Sequence, residues 1–364
     1  MPRPESRLLQ IVPHLPGTRE GVGDYALNLA RRLRTDHGFT TTFLVNDSAQ
    51  TREIDGFDVL GPLRNELPAA LGAKFSNVIL HYVNYGYQTR GVPFHLRHFV
   101  AQLRSHIAGK LVTMFHELYA SGSPWSSAFW TRPWQVRIAR DLIRISDACV
   151  VSNEVIAREI RQIQADKTIR VAPILSNFGE PKLNLEEERD PHLWAICGGT
   201  ALIARSVRAL ASVHRRIPKW CSPQHVELIG GRSSDDLQKL IEQAPLEFQH
   251  YPEISANAAS QLLRRCSFGW SDYYGSGKVW PGMIFKSGSF GSCCAHGVVP
   301  VFAHDEPPLH LYSDFLPGPF FVTLATTRLP TESHLEQTRE QIHRWYHRHA
   351  SSQVTARLYA DALR

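Results

Sequence analysis

The chain has 364 residues, 43% of them hydrophobic, with a formal charge of +6 and a pI near 9.0. That length exceeds what one hydrophobic core usually supports, and ordinary Gly, Pro and charged fractions exclude collagen-like and largely disordered chains. The mild positive excess favours anionic ligands, yet no dense Lys/Arg block interleaved with aromatics appears, so no nucleic-acid partner is expected.

The first half alternates short β-branched runs with amphipathic segments, the pattern of βα units around a parallel sheet. "RLLQIVPHL" (7–15) reads as a strand, "DYALNLARRLRTDH" (24–37) as a helix and "TTTFLVN" (40–46) as the next strand. "NVILHYVNY" (77–85), "KLVTMFHEL" (110–118) and "DACVVSN" (147–153) continue the strands, with helices near 94–108, 132–145 and 154–165. The polar stretch "SNFGEPKLNLEEERDP" (176–191) lacks periodicity and reads as an interdomain linker. A second series follows: strand "HLWAICGG" (192–199), a helix through "ARSVRALASVHRR", "HVELIGG" (225–231), a helix from Asp235, "SFGWSDYY" (267–274), a helix opening at Ser287 and "VVPVFA" (298–303). The tail from Ser333 reads as helical with no strand after it. The expected domains are 1–180, 181–335 and C-terminal helices over 336–364 that cross back to the first domain.

No run approaches the 18 or more apolar residues of a spanning helix, and "MPRPESRLLQIVPHL" has no apolar core followed by a small-residue cleavage site. A cytoplasmic location is expected. The six cysteines (Cys149, Cys197, Cys221, Cys266, Cys293 and Cys294) show no C-x-x-C pair, so buried reduced thiols are expected.

Open parallel sheets bind ligands beyond the carboxyl ends of their strands, so the loops there hold the candidates. "PGTREGVGDYALNLARRL" (16–33) places Gly17, Gly21 and Gly23 before a helix that opens near Asp24, where backbone N–H groups can meet an anion or simply make a βα turn. "TMFHELYASGSPW" (113–125) puts His116 and Glu117 where an apolar run turns polar. A lone histidine is more often satisfied by backbone hydrogen bonds, but that position at a strand end favours function. "HYVNYGYQTRGVP" (81–93) brings Tyr82, Tyr85 and Tyr87 around Gly86, aromatics that suit a sugar ring or ordinary packing. "ICGGTALIARS" (196–206) and "LIGGR" (228–232) end strands in glycine pairs with Arg205 and Arg232 close by, and "DYYGSGKVWPG" (272–282) adds Lys278. Such turns suit a diphosphate held by backbone N–H groups and guanidinium.

Other chemistries fit poorly. Adjacent Cys293 and Cys294 would point about 100° apart on a helix and could not share a tetrahedral metal with His296. Neither G-x-x-x-x-G-K-[ST] nor G-x-S-x-G occurs.

Taken in order, "GVGDYALNLARRL" (21–33), "FHE" (115–117) and "SGSFGSCCAHGVVPVF" (287–302) resemble the glycine loop, the His-bearing strand end and the E-A-x-A-x-G-x-P-V-V segment of GT-B glycosyltransferases, particularly the retaining family 4. The resemblance spans nearly the whole chain. It implies an α/β fold of two Rossmann-like doubly wound domains facing a central cleft, the first on the acceptor side and the second binding a nucleotide-sugar. No metal and no cofactor beyond that co-substrate is implied.

Matched by position, the resemblance makes His116, Glu117 and Asp24 the catalytic candidates. It sets Gly21, Gly23, Arg205, Lys278, Lys286, Ser287, Gly288 and Ser289 at the donor diphosphate. Gly199, Thr200, Gly230, Gly231 and Tyr273 would lie near the nucleotide or sugar, and Tyr85 and Tyr87 near the acceptor. The family's pair of glutamates is missing: Met283 or Ile284 and Gly291 or Ser292 stand near those places. The implied function is sugar transfer to a saccharide or lipid-linked acceptor. The alternatives are a nucleotide-sugar epimerase of the same architecture and a lapsed module that binds a nucleotide or glycan. "SPWSSAFWTRPWQVRIARDLIRI" (123–145) mixes four large aromatics with arginines. It suits either a helix packing Val136, Ile138, Leu142 and Ile143 inward or peripheral contact with an anionic membrane on the cytoplasmic face.

Overall fold

The computed structural model describes residues 6–15, 21–47, 51–120, 125–184, 189–275 and 279–364. The chain forms two compact units, Met1–Pro173 with Ser352–Arg364, and Ile174–Ser351. The division therefore falls ahead of the boundary expected at 180/181, and the C-terminal helices are shared between the units.

The first unit runs β1 (Ser6–Val12), α1 (Gly21–His37), β2 (Phe39–Val45), β3 (Glu53–Ile54), β4 (Phe57–Leu60), α2 (Pro68–Lys74), β5 (Asn77–Tyr82), α3 (Asn84–Tyr87), α4 (Phe94–His106), β6 (Leu111–Phe115), α5 (Ser127–Ile145), β7 (Ala148–Val151), α6 (Glu154–Ile163) and β8 (Thr168–Val171). Its sheet has the order β3-β4-β2-β1-β5-β6-β7-β8. Pairing is parallel apart from the β3/β4 hairpin. Near-continuous apolar runs such as Leu8–Val12 and Asn77–Tyr82 are buried along their length, as a sheet covered on both faces requires. Strand order reverses between β1 and β5, which is the switch point where such sheets leave a crevice.

Several expectations needed correction. The strand expected over 77–85 stops at Tyr82, and residues 84–87 make one helical turn. The helix expected over 132–145 begins at Ser127, capped by Ser126, whose hydroxyl accepts from the Phe129 amide. β3, β4, α2 and β8 had no sequence counterpart because each is short and half exposed, with little periodicity to read.

The second unit runs β9 (Asp190–Cys197), α7 (Thr200–Val213), β10 (His225–Ile229), α8 (Asp235–Glu242), β11 (Glu247–Tyr251), α9 (Ala256–Arg265), β12 (Cys266–Ser271), a 3-10 turn at Pro281–Lys286, α10 (Gly288–Ala295), β13 (Val299–Phe302), β14 (His310–Leu311), β15 (Asp314–Phe315), β16 (Phe320–Val322), β17 (Thr327–Arg328) and α11 (Leu335–His349). The main sheet is ordered β11-β10-β9-β12-β13-β16-β17, with its switch point between β9 and β12. Trp194 and Phe268 stack at 4.8 Å between ring centroids in its core. α12 (Ser352–Leu363) belongs to the first unit, where it packs on α1 and β6.

The described part of the expected linker is fixed rather than free. The Ser176 amide donates to the Tyr346 hydroxyl at 2.8 Å, and that hydroxyl donates to Glu180 at 2.7 Å. Residues 185–188 lie outside the described set. All six cysteines are buried free thiols. Among the described residues no helix is long and apolar enough to cross a membrane.

Candidate functional site

In the first unit the polar groups gather at the switch point. His116 follows β6 directly, with its amide donating to the Tyr82 carbonyl at 3.0 Å. Its Nε2 lies 3.4 Å from His81 Nδ1, and His81 Nε2 lies 2.9 Å from Gln10 Oε1. Three neighbouring strands thus supply one polar line, Gln10 from β1, His81 from β5 and His116 from the end of β6. Gln10 and His81 are fully buried. Burial first, and then the neighbouring His116, hold the His81 pKa well below the usual imidazole value, so that ring is neutral. Tyr25 of α1 stands edge-on to both imidazoles, its centroid 5.7 Å from His81 and 5.3 Å from His116. Its hydroxyl donates to that of Tyr359 in α12 at 3.3 Å.

Neither Gln10 nor His81 was singled out from the sequence. The available signal was a polar residue inside each apolar run, "LLQIV" and "NVILHY", but the pairing across strands is not written locally.

α1 opens at Gly21, ahead of the expected Asp24, which puts Gly21, Gly23 and Asp24 all in its first turns. Asp24 there complements the partial positive charge of the helix N-terminus. Gly17 lies outside the described residues. Glu117 is half-buried beside His116. Tyr85 is 37% exposed, whereas Tyr87 is buried and its hydroxyl lies 2.9 Å from the His81 carbonyl and 3.2 Å from that of Ile11. Tyr87 is therefore a core tie between β1 and β5 rather than an acceptor-facing side chain.

In the second unit the turns after β9 and β10 are built against each other. Gly230 has φ +98°, and a Cβ there would stand 2.8 Å from the Gly198 carbonyl oxygen; one on Gly231 would meet the Thr200 amide at 3.0 Å. The Thr200 hydroxyl accepts from the Arg232 amide at 2.8 Å. Gly230 and Gly231 thus shape the Gly199–Thr200 turn from behind, while Gly199 caps α7.

Arg205 reaches the loop after β12. Its Nε donates to the Asp272 carbonyl at 2.9 Å and lies 3.2 Å from Asp272 Oδ2, and a terminal nitrogen donates to the Tyr273 carbonyl at 3.3 Å. The other Asp272 oxygen is 3.0 Å from His304 Nε2. Arg205, Asp272 and His304 form a cluster at the carboxyl ends of β12 and β13, of which the sequence reading held only the arginine. The abrupt change from apolar "SFGWS" and "VVPVFA" to Asp272 and His304 was the usable signal. Tyr273 donates to the Met283 carbonyl at 2.9 Å, so its hydroxyl anchors the loop. Lys278 lies outside the described residues.

Ser287 caps α10 by accepting from the Phe290 amide at 3.2 Å, with Lys286 before it and Gly288 and Ser289 in the first turn. A Cβ on Gly288 would meet the Asn177 side-chain nitrogen at 2.8 Å. The missing glutamate has a physical cause a little further along. A Cβ on Gly291 would lie 2.6 Å from the Ile174 carbonyl oxygen, and the buried Ser292 hydroxyl lies 3.1 Å from that of Ser176 and accepts from the Asn177 amide at 3.2 Å. This face of α10 is closed by residues 174–177. Ile284, at the other expected place, is buried too.

The aromatic stretch divides in two. From Gln135 onward α5 packs Ile138, Leu142 and Ile143 inward, while Trp125 (96% exposed), Trp130 (71%), Trp134 (50%) and Phe129 (42%) stand in solvent with Arg132, Arg137, Arg140 and Arg144. Residues 123 and 124 lie outside the described set.

No protein-family model matches the sequence, and no curated protein sequence does. Solved structures do match the fold. An α-glucosyltransferase in complex with UDP and a 13-mer DNA containing an HMU base superposes with a TM-score of 0.61 at 13% identity, over 99% of this chain and 100% of that one. A glycosyltransferase involved in lipopolysaccharide biosynthesis gives 0.51 at 11% identity, over 97% and 95%. A putative UDP-N-acetylglucosamine 2-epimerase from Listeria monocytogenes gives 0.51 at 12% identity, over 99% and 96%. With two doubly wound sheets of this order, the chain has the GT-B fold that its glycosyltransferase neighbours share.

Proposed function

We propose that this chain is a glycosyltransferase that moves a sugar from a nucleotide-sugar, UDP-linked by analogy with the UDP-bound neighbour, to a saccharide or lipid-linked acceptor. The observation that carries this reading is the switch point of the second unit, where glycine-built turns after β9 and β10 stand beside a loop held by Arg205. Open α/β sheets bind nucleotides and their phosphates at such points. The reaction proposed is a retaining, metal-independent transfer. The sugar passes through an oxocarbenium-like state while the leaving diphosphate takes the proton of the acceptor hydroxyl.

The protein's task is then to hold the charge that grows on the diphosphate. Lys286, Lys278 and the amides of Ser287, Gly288 and Ser289 are assigned to it. Arg205 shares its charge with Asp272, so we assign it to shaping the loop as well as to the anion. His116 is assigned to a hydroxyl of the sugar.

Three assays decide the matter. UDP is expected to raise the melting temperature more than GDP or ADP, since a ligand that binds only the folded form must raise it. UDP-sugars incubated with saccharide, lipid-linked and duplex DNA acceptors should release UDP coupled to transfer. Interconversion of the sugar without transfer would instead support the epimerase reading, and binding without turnover the lapsed module. His116→Ala should lower kcat at least tenfold while changing donor affinity little; unchanged kcat removes His116 from the site.

The exposed half of α5 supports a further reading, peripheral contact with an anionic membrane, because indoles and arginines together suit a lipid interface. Sedimentation with phosphatidylserine vesicles, abolished by Trp125→Ala with Trp130→Ala, is the expected result; no sedimentation at low salt ends that reading.

A further inference from the structure

We propose that His343 and His347 of α11, together with the Pro181 carbonyl, form a binding site for one borderline divalent metal ion of the zinc class, which fastens the segment 176–181 to that helix. The site shares no residue with those assigned to the donor or the acceptor. It stands or falls independently of the transferase reading.

The helix supplies the spacing. "HRWYH" (343–347) sets two imidazoles four residues apart, on one face and one turn from each other. Two histidines at that spacing on one helix face are a known way to hold zinc. Here the rings have already converged, with centroids 4.2 Å apart and Nε2 atoms 3.0 Å apart. Two nitrogens bound to one zinc at about 2.05 Å stand about 2.9 Å apart at a right angle and about 3.3 Å apart at the tetrahedral angle. The observed separation falls between them. The Pro181 carbonyl oxygen is 3.1 Å from His343 Nε2, a spacing that a third ligand on the same ion would also show.

The three atoms have more lone pairs than protons. Two Nε2 atoms at that distance can share only one proton, and the carbonyl can only accept. If His343 carries the proton, it faces two acceptors at once; if His347 carries it, the Pro181 oxygen faces a bare nitrogen. A cation satisfies all three. Glu180 adds negative charge beside them, since its carboxylate acts on both imidazoles while accepting from the Tyr346 hydroxyl at 2.7 Å. Arg189 also acts on His343, but its guanidinium is turned to the carbonyls of Leu263, Cys266 and His296. Imidazole nitrogens select zinc, nickel or copper over magnesium and calcium, which take oxygen. Among the described residues no three side chains of His, Cys, Asp or Glu are gathered as a metal cage, so this is a two-imidazole clamp whose further ligands are oxygen.

The role this gives the ion is structural. The segment it would hold is already tied to α11 through the Ser176 amide on the Tyr346 hydroxyl, and to α10 through the Ser176 and Ser292 hydroxyls 3.1 Å apart. Metal binding should therefore be read in stability rather than in turnover.

In the test, the full chain is freed of metal with EDTA, dialysed and titrated with Zn2+ by calorimetry. About one equivalent is expected to bind at micromolar concentration in the presence of millimolar Mg2+, and to raise the melting temperature by about 3 °C or more. His343→Gln and His347→Gln, which keep a polar side chain at half-buried positions, should each weaken binding at least tenfold. The unaltered chain gives a reading that needs no variant to fold: Co2+ should produce a visible d–d absorption that saturates at one equivalent and vanishes on addition of Zn2+. Failure of both metals to bind overturns the proposal. Binding of equal strength to the doubly substituted chain overturns it too, since the ion would then sit elsewhere, as at His81 and His116.

Discussion

Gly291 shows how a single residue can settle a question the sequence only raised. The resemblance expects a glutamate near this position, yet a Cβ here would come within 2.6 Å of the Ile174 carbonyl oxygen. The atoms it would meet, in Ile174 and Leu175, are all backbone, so no flexible side chain is there to give way. Gly291→Glu should therefore not restore a missing ligand. It should cost about 3 kcal/mol or more, through overpacking together with burial of a carboxylate. Urea unfolding of the second unit gives the answer: a midpoint equal to wild type would mean that α10 can move away from residues 174–177. Gly230→Ala, forced to φ +98° and toward the Gly198 carbonyl, should lose about 2 kcal/mol by the same measurement. Residues of this kind are only half legible in a sequence. His116 could be found because it stands at an abrupt apolar-to-polar change. Gln10 and His81 were hidden because their partners lie on neighbouring strands, far away along the chain. Tyr87 was misjudged because an aromatic beside a glycine looks the same whether its hydroxyl faces a ligand or two backbone carbonyls.

At the scale of elements, α12 is the least expected contributor. Its buried Thr355, Ala356, Tyr359, Ala360 and Leu363 make it amphipathic, and the sequence reading recognised a helix there. Its destination on α1 and β6 depends on contacts more than 300 residues apart in the chain, such as the Tyr25–Tyr359 hydrogen bond. Tyr359→Ala should remove about 3 kcal/mol from the first unit through the cavity left behind, whereas Tyr359→Phe removes only the partner of the Tyr25 hydroxyl and should cost about 1 kcal/mol. A scan of melting temperature for the pair checks the ordering, and equal losses would show that the hydrogen bond rather than the ring holds the helix. The main parallel strands β1, β2, β5, β6, β7, β9, β10, β12 and β13 could be read because apolar runs of their length have few other uses. Edge strands could not: β11, "EFQHY", alternates polar residues along an open sheet edge and resembles a loop.

For the molecule as a whole, the histidines make acid the condition to examine. His81 and His95 in the first unit, and His296, His343 and His347 in the second, all have pKa values lowered chiefly by burial. His296 falls to about 4 chiefly through burial, and the neutral ring meets both its neighbours, with Nδ1 donating to the Ser292 carbonyl at 2.7 Å and Nε2 lying 2.8 Å from the Ser260 hydroxyl. His343 and His347 bring their Nε2 atoms within 3.0 Å of each other, so both cannot be charged in that geometry. In the unfolded chain these rings take up protons near pH 6.5, while the folded units refuse them until a lower pH. Between those limits the unfolded state binds more protons, and stability must fall as pH falls. The sign is opposite to that of a histidine paired with a carboxylate. For His296 alone the window runs from about 6.5 to about 4 and carries about 3 kcal/mol, while above pH 7 its contribution is flat. Melting temperatures measured from pH 8 to pH 5 should therefore be level above neutrality and drop steadily below pH 6.5. His296→Gln, which keeps a donor and an acceptor but cannot ionise, should flatten that slope for the second unit. An unchanged slope in that variant would place the acid sensitivity on the His343–His347 pair instead.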